Sequence, residues 1–183
     1  MHKLFILGMI ALWLTAFAGC MIPHNVDIEK FPVYPETMGT FPEKGFPIKI
    51  VMPENVEEKY IVENLNSLGG RGLIIMIDLN DMYRTANELI QETLDQKQIQ
   101  TDNSSAKYLK YTVDKIQYET WGWVYVQGCY FYFTVETSDG YKHQYKVQDQ
   151  SGYSFDRAIS GAISRSIERM FQDQKVLNFI GDR

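Results

Sequence analysis

Apolar positions repeat every second residue in some stretches of this chain and about every 3.6 residues in others, so the pattern predicts both strands and helices. Pro47 to Met52 sets Ile48, Ile50 and Met52 against Lys49 and Val51, a first strand closed by Pro53. In Glu54 to Leu68, Val56, Tyr60, Ile61, Leu65 and Leu68 fit a weak helical face, although Lys59 to Val62 also fits a short strand; the helix is the expectation. Residues 72 to 78 hold the run Leu73-Ile74-Ile75-Met76-Ile77 and predict a strand buried on both faces. From Asp78 or Asn80 as N-cap, Met82, Ala86, Leu89, Ile90, Thr93 and Leu94 recur at helical spacing as far as Lys97, with Asp81 in the first turn.

Strands follow. Leu109, Tyr111 and Val113 alternate, then Ile116 and Tyr118 continue one residue out of phase, which predicts a bulge near Asp114-Lys115. The aromatic strand from Trp121 to Glu136 leads into Thr137-Ser138-Asp139-Gly140-Tyr141. A two-residue Asp-Gly turn would put Phe133 opposite Lys146, whereas a three-residue turn with Gly140 left-handed pairs Phe131 with Val147, Phe133 with Tyr145 and Val135 with His143. The second register also gives Glu136 with Lys142, Thr134 with Gln144 and Tyr132 with Lys146 on a wet face, and it is the one predicted. Ser154 caps a last major helix with the stripe Phe155, Ala158, Ile159, Ala162, Ile163, Ile167, Met170 and Phe171. Gly161 costs about 1 kcal/mol there relative to alanine, so it predicts close packing on the sheet or on a second copy of the chain. Asp173 caps a short helix through Val176, Leu177 and Ile180. The sum is an α+β fold: a mainly antiparallel twisted sheet with two principal helices packed on one face.

All six prolines lie between Pro23 and Pro53, and residues 21 to about 45 show neither period. They read as an extended tether, up to about 75 Å if fully stretched. Phe31, Val33, Tyr34 and Phe41 are too apolar for a pure spacer and predict that part of it lies on the domain surface.

The first twenty residues change the picture more than any later stretch. Lys3 precedes an uncharged apolar run from Leu4 to Ala18, the length of a signal segment and shorter than the roughly 20 residues that span a bilayer. Ala18-Gly19-Cys20 then resembles the lipobox of bacterial lipoproteins, with Phe17 where leucine is commonest. That resemblance implies removal of residues 1–19 and acylation of Cys20, which would hold the protein on a membrane without crossing it. In a cell with two membranes, Met21 in place of aspartate after the cysteine implies the periplasmic face of the outer membrane. The organisation expected is 1–19 signal peptide, 20–45 lipidated cysteine and proline-rich tether, and 46–183 one domain.

Beyond Cys20 there are 17 basic and 23 acidic residues, net −6, with no basic block, which argues against a nucleic-acid partner and against a polybasic membrane patch. Cys129 would be the one remaining thiol, and its place in an apolar strand predicts an inert buried group. The glycines in Gly69-Gly70-Arg71-Gly72 precede a strand rather than open a helix, so they predict a turn and not a phosphate loop. Three histidines, His2, His24 and His143, form no metal-ligand pattern, and Gly152-Tyr153-Ser154 lacks the second glycine of a nucleophile elbow. Asp78 and Asp81 suit helix-start roles. No cofactor, metal site or catalytic activity is expected.

What remains distinctive is Trp121-Gly122-Trp123-Val124-Tyr125 followed by Tyr130-Phe131-Tyr132-Phe133. One face of that strand belongs to the core; Tyr130 and Tyr132, with Trp121 or Trp123 near the strand start and Lys146 across from Tyr132, form the candidate interaction surface. Residues 46 to 183 also resemble the YajG-type bacterial lipoproteins in their order of elements: short strand, helix, Tyr111-Thr112-Val113-Asp114-Lys115-Ile116, aromatic strand, turn with Gly140, then a capped helix and Asp173 to Ile180. The longer proline-rich segment departs from that pattern, and the resemblance implies fold and location with no catalytic residues. The functional expectation is a membrane-anchored envelope lipoprotein acting as a non-catalytic protein-binding or adaptor module, with an envelope protein or a second copy as partner. The alternative is an auxiliary protein that binds lipid or peptidoglycan fragments in a pocket between helices and sheet.

Overall fold

A computed structural model of the protein describes residues 22–54, 56, 59–65, 73–121, 126–152 and 154–181. Most of its strands and helices form where the two periods place them, while a strand at Ile22–Asn25 forms in a segment that shows neither. In chain order these are β1 (Ile22–Asn25), β2 (Lys49–Val51), β3 (Tyr60–Ile61), β4 (Glu63–Asn64), β5 (Leu73–Ile77), α1 (Leu79–Gln96), β6 (Tyr108–Trp121), β7 (Val126–Thr137), β8 (Lys142–Ser151), α2 (Phe155–Met170) and α3 (Gln174–Gly181). The segment expected to be a signal peptide, Cys20, the glycine cluster at 69–72 and Trp123 lie outside the described residues.

β6, β7 and β8 form an antiparallel meander, with β7 and β8 in the predicted register: Phe131 opposite Val147, Phe133 opposite Tyr145 and Tyr132 opposite Lys146. The single strand expected over Trp121–Glu136 is corrected: Trp121 ends β6 and pairs with Val126 at the start of β7, so the chain reverses between them. The turn closes through Thr137 N–H donating to the Tyr141 carbonyl at 2.9 Å, with Gly140 at φ +93°. That φ lies in the left-handed region, which is why the turn carries a glycine. The β6–β7 register slips between Val113 and Lys115, so the bulge returns Ile116 and Tyr118 to the face that buries Leu109 and Tyr111.

Parallel pairings complete the sheet. β2 and β4 both run parallel to β6, and β1 runs parallel to β5. β3 pairs antiparallel with β5, and β3 and β4 are one residue apart, so the short segment from Tyr60 to Asn64 passes from one sheet to the other. This corrects the helix expected over 54–68. Val62 is buried while Ile61 and Glu63 are exposed, a period of two, and Val62 N–H donates to the Ile75 carbonyl at 2.9 Å. β5 is also not buried on both faces: Ile75 and Ile77 are buried while Ile74 and Met76 are half-buried.

Helix starts follow their caps. Asp78 accepts from Asn80 N–H at 2.8 Å and opens α1; Ser154 accepts from Arg157 N–H at 3.2 Å and opens α2; Asp173 accepts from Lys175 N–H at 2.8 Å and opens α3. α2 lies on β7 and β8 and touches α1, and one continuous core joins Met82, Ala86 and Ile90 to Phe131, Phe133, Ile159, Ile163 and Ile167. Each of the larger of these side chains, the Met, Ile and Phe residues, contributes about 1.5–3 kcal/mol by leaving water.

The proline-rich segment is laid along the domain. After β1 it runs the length of α2 as a strap, tied to polar residues that recur every four positions. Asp156 accepts from Asp27 N–H at 3.0 Å, Ser160 from Glu29 N–H at 3.0 Å, and Glu168 from Tyr34 N–H at 2.9 Å, while the Ser164 hydroxyl donates to the Phe31 carbonyl at 3.0 Å. Residues four apart share one face of a helix, so α2 presents its apolar stripe to the sheet and this polar ladder to the strap. Lys30 pairs with Glu88 and Glu92 of α1, and Gly39 N–H reaches the Phe171 carbonyl at 2.9 Å.

Candidate functional site

The outward face of the meander holds the candidate surface. Alternation along β7 turns Phe131 and Phe133 inward and Tyr130 and Tyr132 outward, where both are half-buried. Lys146, exposed on β8 directly opposite Tyr132 and diagonal to Tyr130, has its Nζ 4.6 Å from the Tyr130 centroid and 5.2 Å from that of Tyr132. At such an exposed site each cation–π contact stabilises by about 0.5–1 kcal/mol. The structure therefore brings together Tyr130, Tyr132 and Lys146. It does not add the tryptophans: Trp121 ends β6 opposite Val126, four residues along from Gln117, which pairs with Tyr130, and its side chain and all of Trp123 lie outside the described residues.

Polar neighbours frame the rings. The Tyr130 hydroxyl donates to Glu119 at 2.8 Å, and this bond to a carboxylate, with some burial, raises its phenol above the ordinary range. Glu63 accepts from Lys115 Nζ at 2.6 Å and from Gln117 Nε2 at 2.7 Å, and those bonds hold its carboxyl below the usual value while raising the Lys115 ammonium. Asp114 at the bulge accepts from Thr134 at 2.7 Å and Gln144 at 2.9 Å, and Lys142 lies 3.7 Å from Glu136. Among the described residues Lys146 has no carboxylate within ion-pair distance. The face is thus charge-matched along β6 and carries a cation resting on aromatic rings at β8.

β8 is also an edge. Among the described residues it pairs with β7 alone. The Thr137–Tyr141 bond directs the odd-numbered residues of β8 toward β7, so alternation turns the backbone N–H and C=O groups of Lys142, Gln144, Lys146, Gln148 and Gln150 outward, with the Gln150 N–H donating to the Asp149 carboxylate. Those five side chains stand on the wet face. An edge of this kind can accept a further strand, and lysines on it discourage indiscriminate pairing.

The participation of Glu63 was not legible in the sequence, because it depends on β4 crossing to β6. Glu119 and Gln117 carried a signal, being polar residues at alternate positions of an aromatic strand.

Other titratable groups serve the fold. His24 Nε2 lies 3.1 Å from Asp156 at the start of the strap. His143 stands edge-on to Tyr145 at 4.6 Å between ring centroids. Cys129 is buried, and desolvation pushes its thiol far above the ordinary range. No group of three or more histidine, cysteine, aspartate or glutamate side chains among the described residues could hold a metal ion, and none of their helices is long and apolar enough to cross a membrane. The space between helices and sheet is filled by Tyr111, Phe131, Phe133 and Ile163, all fully buried. Among the described residues, two clefts flank the strap: one of about 350 Å³ lined by Phe31, Tyr34, Arg157 and Arg165, and one of about 330 Å³ beside Leu89 and Glu92.

No family model and no curated protein matches the sequence. Solved structures do match in shape. The chain is similar to the crystal structure of protein XCC0632 from Xanthomonas campestris, of the family DUF330, with TM-score 0.50 and 11% identity over 87% of this chain and 94% of that one. A second match is a minor lipoprotein from Acinetobacter baumannii, with TM-score 0.40 and 12% identity over 75% of this chain and 97% of that one. The first establishes a shared α+β fold; the second overlaps too loosely to add to it.

Proposed function

We propose that this protein is a lipid-anchored lipoprotein of the bacterial cell envelope, acylated at Cys20, that works as a non-catalytic binding or adaptor module. Its partner is another envelope protein, engaged through the Tyr130, Tyr132 and Lys146 face and the adjoining β8 edge. The observation that carries this reading is the juxtaposition at β8 of two tyrosine rings, a lysine with no carboxylate partner among the described residues, and outward backbone groups on a ten-residue strand. Amphipathic rings supply contact area at small entropic cost, and open backbone groups supply hydrogen bonds. Support for the envelope location comes from the sequence before Cys20.

A photo-crosslinking residue placed at Gln148 in native membranes is expected to capture one discrete partner, and the same residue at Arg84, exposed on α1, is not. Tyr130→Ser with Tyr132→Ser should abolish the adduct while the circular dichroism spectrum stays unchanged. An adduct that survives both substitutions, or forms equally at Arg84, rejects this surface. The anchor is tested separately: labelled palmitate should enter the wild type and not Cys20→Ala.

A further inference from the structure

The strap and the strand directions together constrain how the domain stands on a membrane. β1 and β5 run in one direction, starting at Ile22 and Leu73, which are register partners. β3 and β4 run the opposite way and end beside Leu65, whose N–H donates to the Tyr118 carbonyl at 2.9 Å. β6 runs parallel to β4 and ends at Trp121, opposite Val126 at the start of β7. Ile22, Leu65, Leu73, Trp121, Val126 and Ser151 therefore mark one end of the sheet. The turn at Asp139 and Gly140, beside the start of β6, marks the other. α2 starts near the first end, because Asp156 meets His24 and Asp27 there, and the strap then follows it toward the second, reaching Phe171 at Gly39.

Only Met21 separates Cys20 from the first residue of β1. Two residue steps reach at most about 7 Å, whereas a free segment to residue 45 would have reached about ten times as far.

We propose that the strap is a clamp and that its partner is the lipid surface itself: with Cys20 acylated, the end of the sheet marked by Ile22 and Leu65 lies on the bilayer. This rests on the acylation proposed above. The docked segment gives no clearance, so the strands stand away from the membrane and the β8 edge faces sideways, parallel to the bilayer normal. Leu65, 42% exposed at that end, is one of the large apolar side chains the described fold leaves in solvent, and a bilayer surface would cover it. β6, 14 residues long, spans about 45 Å at strand rise, which carries the Asp139 turn well clear of the headgroups.

The test uses the full acylated protein in phosphatidylethanolamine–phosphatidylglycerol vesicles containing a headgroup-attached quencher. A fluorophore on Leu65→Cys should be strongly quenched and one on Asp139→Cys should not. A Gly-Ser segment of twelve residues inserted between Met21 and Ile22 should bring the signal at Leu65 down to that at Asp139, with the circular dichroism spectrum unchanged. Equal quenching at both positions, or quenching at Leu65 that ignores the insertion, overturns the clamp while palmitate incorporation leaves the anchor standing. Absence of palmitate from the wild type removes the anchor reading and this proposal together.

Discussion

The Asp149 carboxylate of β8 occupies the space where Gly161 of α2 would carry a β-carbon: an added methyl there would lie 1.9 Å from Oδ2. Asp149 is held in place by Arg165 Nε at 2.7 Å. Desolvation raises its carboxyl above the ordinary range, partly offset by Arg165. The close neighbour that a helical glycine predicts is thus the chain's own edge strand.

Gly161→Ala should consequently destabilise the protein, although the same change in an exposed helix would stabilise it by about 1 kcal/mol. Moving the carboxylate breaks its pair with Arg165, and overpacking costs about 1–3 kcal/mol. Urea unfolding measures this. The double variant Gly161→Ala with Asp149→Ala should recover much of the loss; if it does not, the clash with Asp149 is not the cause.

Asp173 ties α3 to β8. The hydroxyls of Tyr141 and Tyr145 each donate to Oδ2 at 2.6 Å, while Oδ1 caps the helix. Burial alone would raise this carboxyl, but the two phenols and the Lys175 N–H outweigh it and hold it below the ordinary range. Asp173→Ala should cost roughly 2–4 kcal/mol, from charge-assisted bonds and a lost cap.

A carboxyl lower in the folded than in the unfolded state stabilises the fold above the unfolded value, about 3.9, and that stabilisation is lost as pH falls through the folded value. The stability gap between wild type and Asp173→Asn should therefore be full near neutrality and shrink as the pH drops below about 4. A gap that stays constant into acid would show that ionisation of Asp173 contributes nothing.

A buried pair on the core side of α2 predicts an asymmetry. The Tyr111 hydroxyl and Ser166 Oγ are 2.6 Å apart, and the Ser166 hydroxyl reaches the Ile163 carbonyl at 2.6 Å. Tyr111→Phe leaves Ser166 its carbonyl partner and should cost about 1 kcal/mol. Ser166→Ala strands a fully buried phenol and should cost about 2–3 kcal/mol. Equal losses in thermal or urea unfolding would contradict the directionality assigned to the pair.

Cys129 should resist modification. Its thiol is buried and desolvation keeps it protonated, so it should react with a maleimide in denaturant and remain unmodified in the native protein. Rapid native labelling would indicate that β7 opens locally.

Much of the fold is written locally. The bulge at Asp114, the β7–β8 register and the caps at Asp78, Ser154 and Asp173 depend on residues within a turn or on adjacent strands, where alternation permits one answer. The grouping of Tyr130 and Tyr132 with Lys146 followed from the same register. Glu63 reached that face only because the chain passes from β3, paired with β5, to β4, paired with β6, and Tyr60 to Asn64 is too short for its period to compete with a weak helical pattern.

The sequence by itself determined the β7–β8 hairpin, the bulge in β6, the three capped helices and which residues of β7 face water, because period and turn chemistry act between neighbours; the reversal from β6 to β7 and the short strands at Tyr60–Asn64 were not legible in it. Phe31, Val33, Tyr34 and Phe41 already predicted that part of the proline-rich segment lies on the domain; tertiary structure alone decided that it runs as a strap along α2. Several of its backbone groups bond to Asp156, Ser160, Ser164 and Glu168 side chains more than 120 positions away instead of to a sheet ladder. Such bonds leave no periodic trace in the strap itself. Their only local sign is a polar residue at every fourth position of α2, which becomes informative once the segment that lies on it is known.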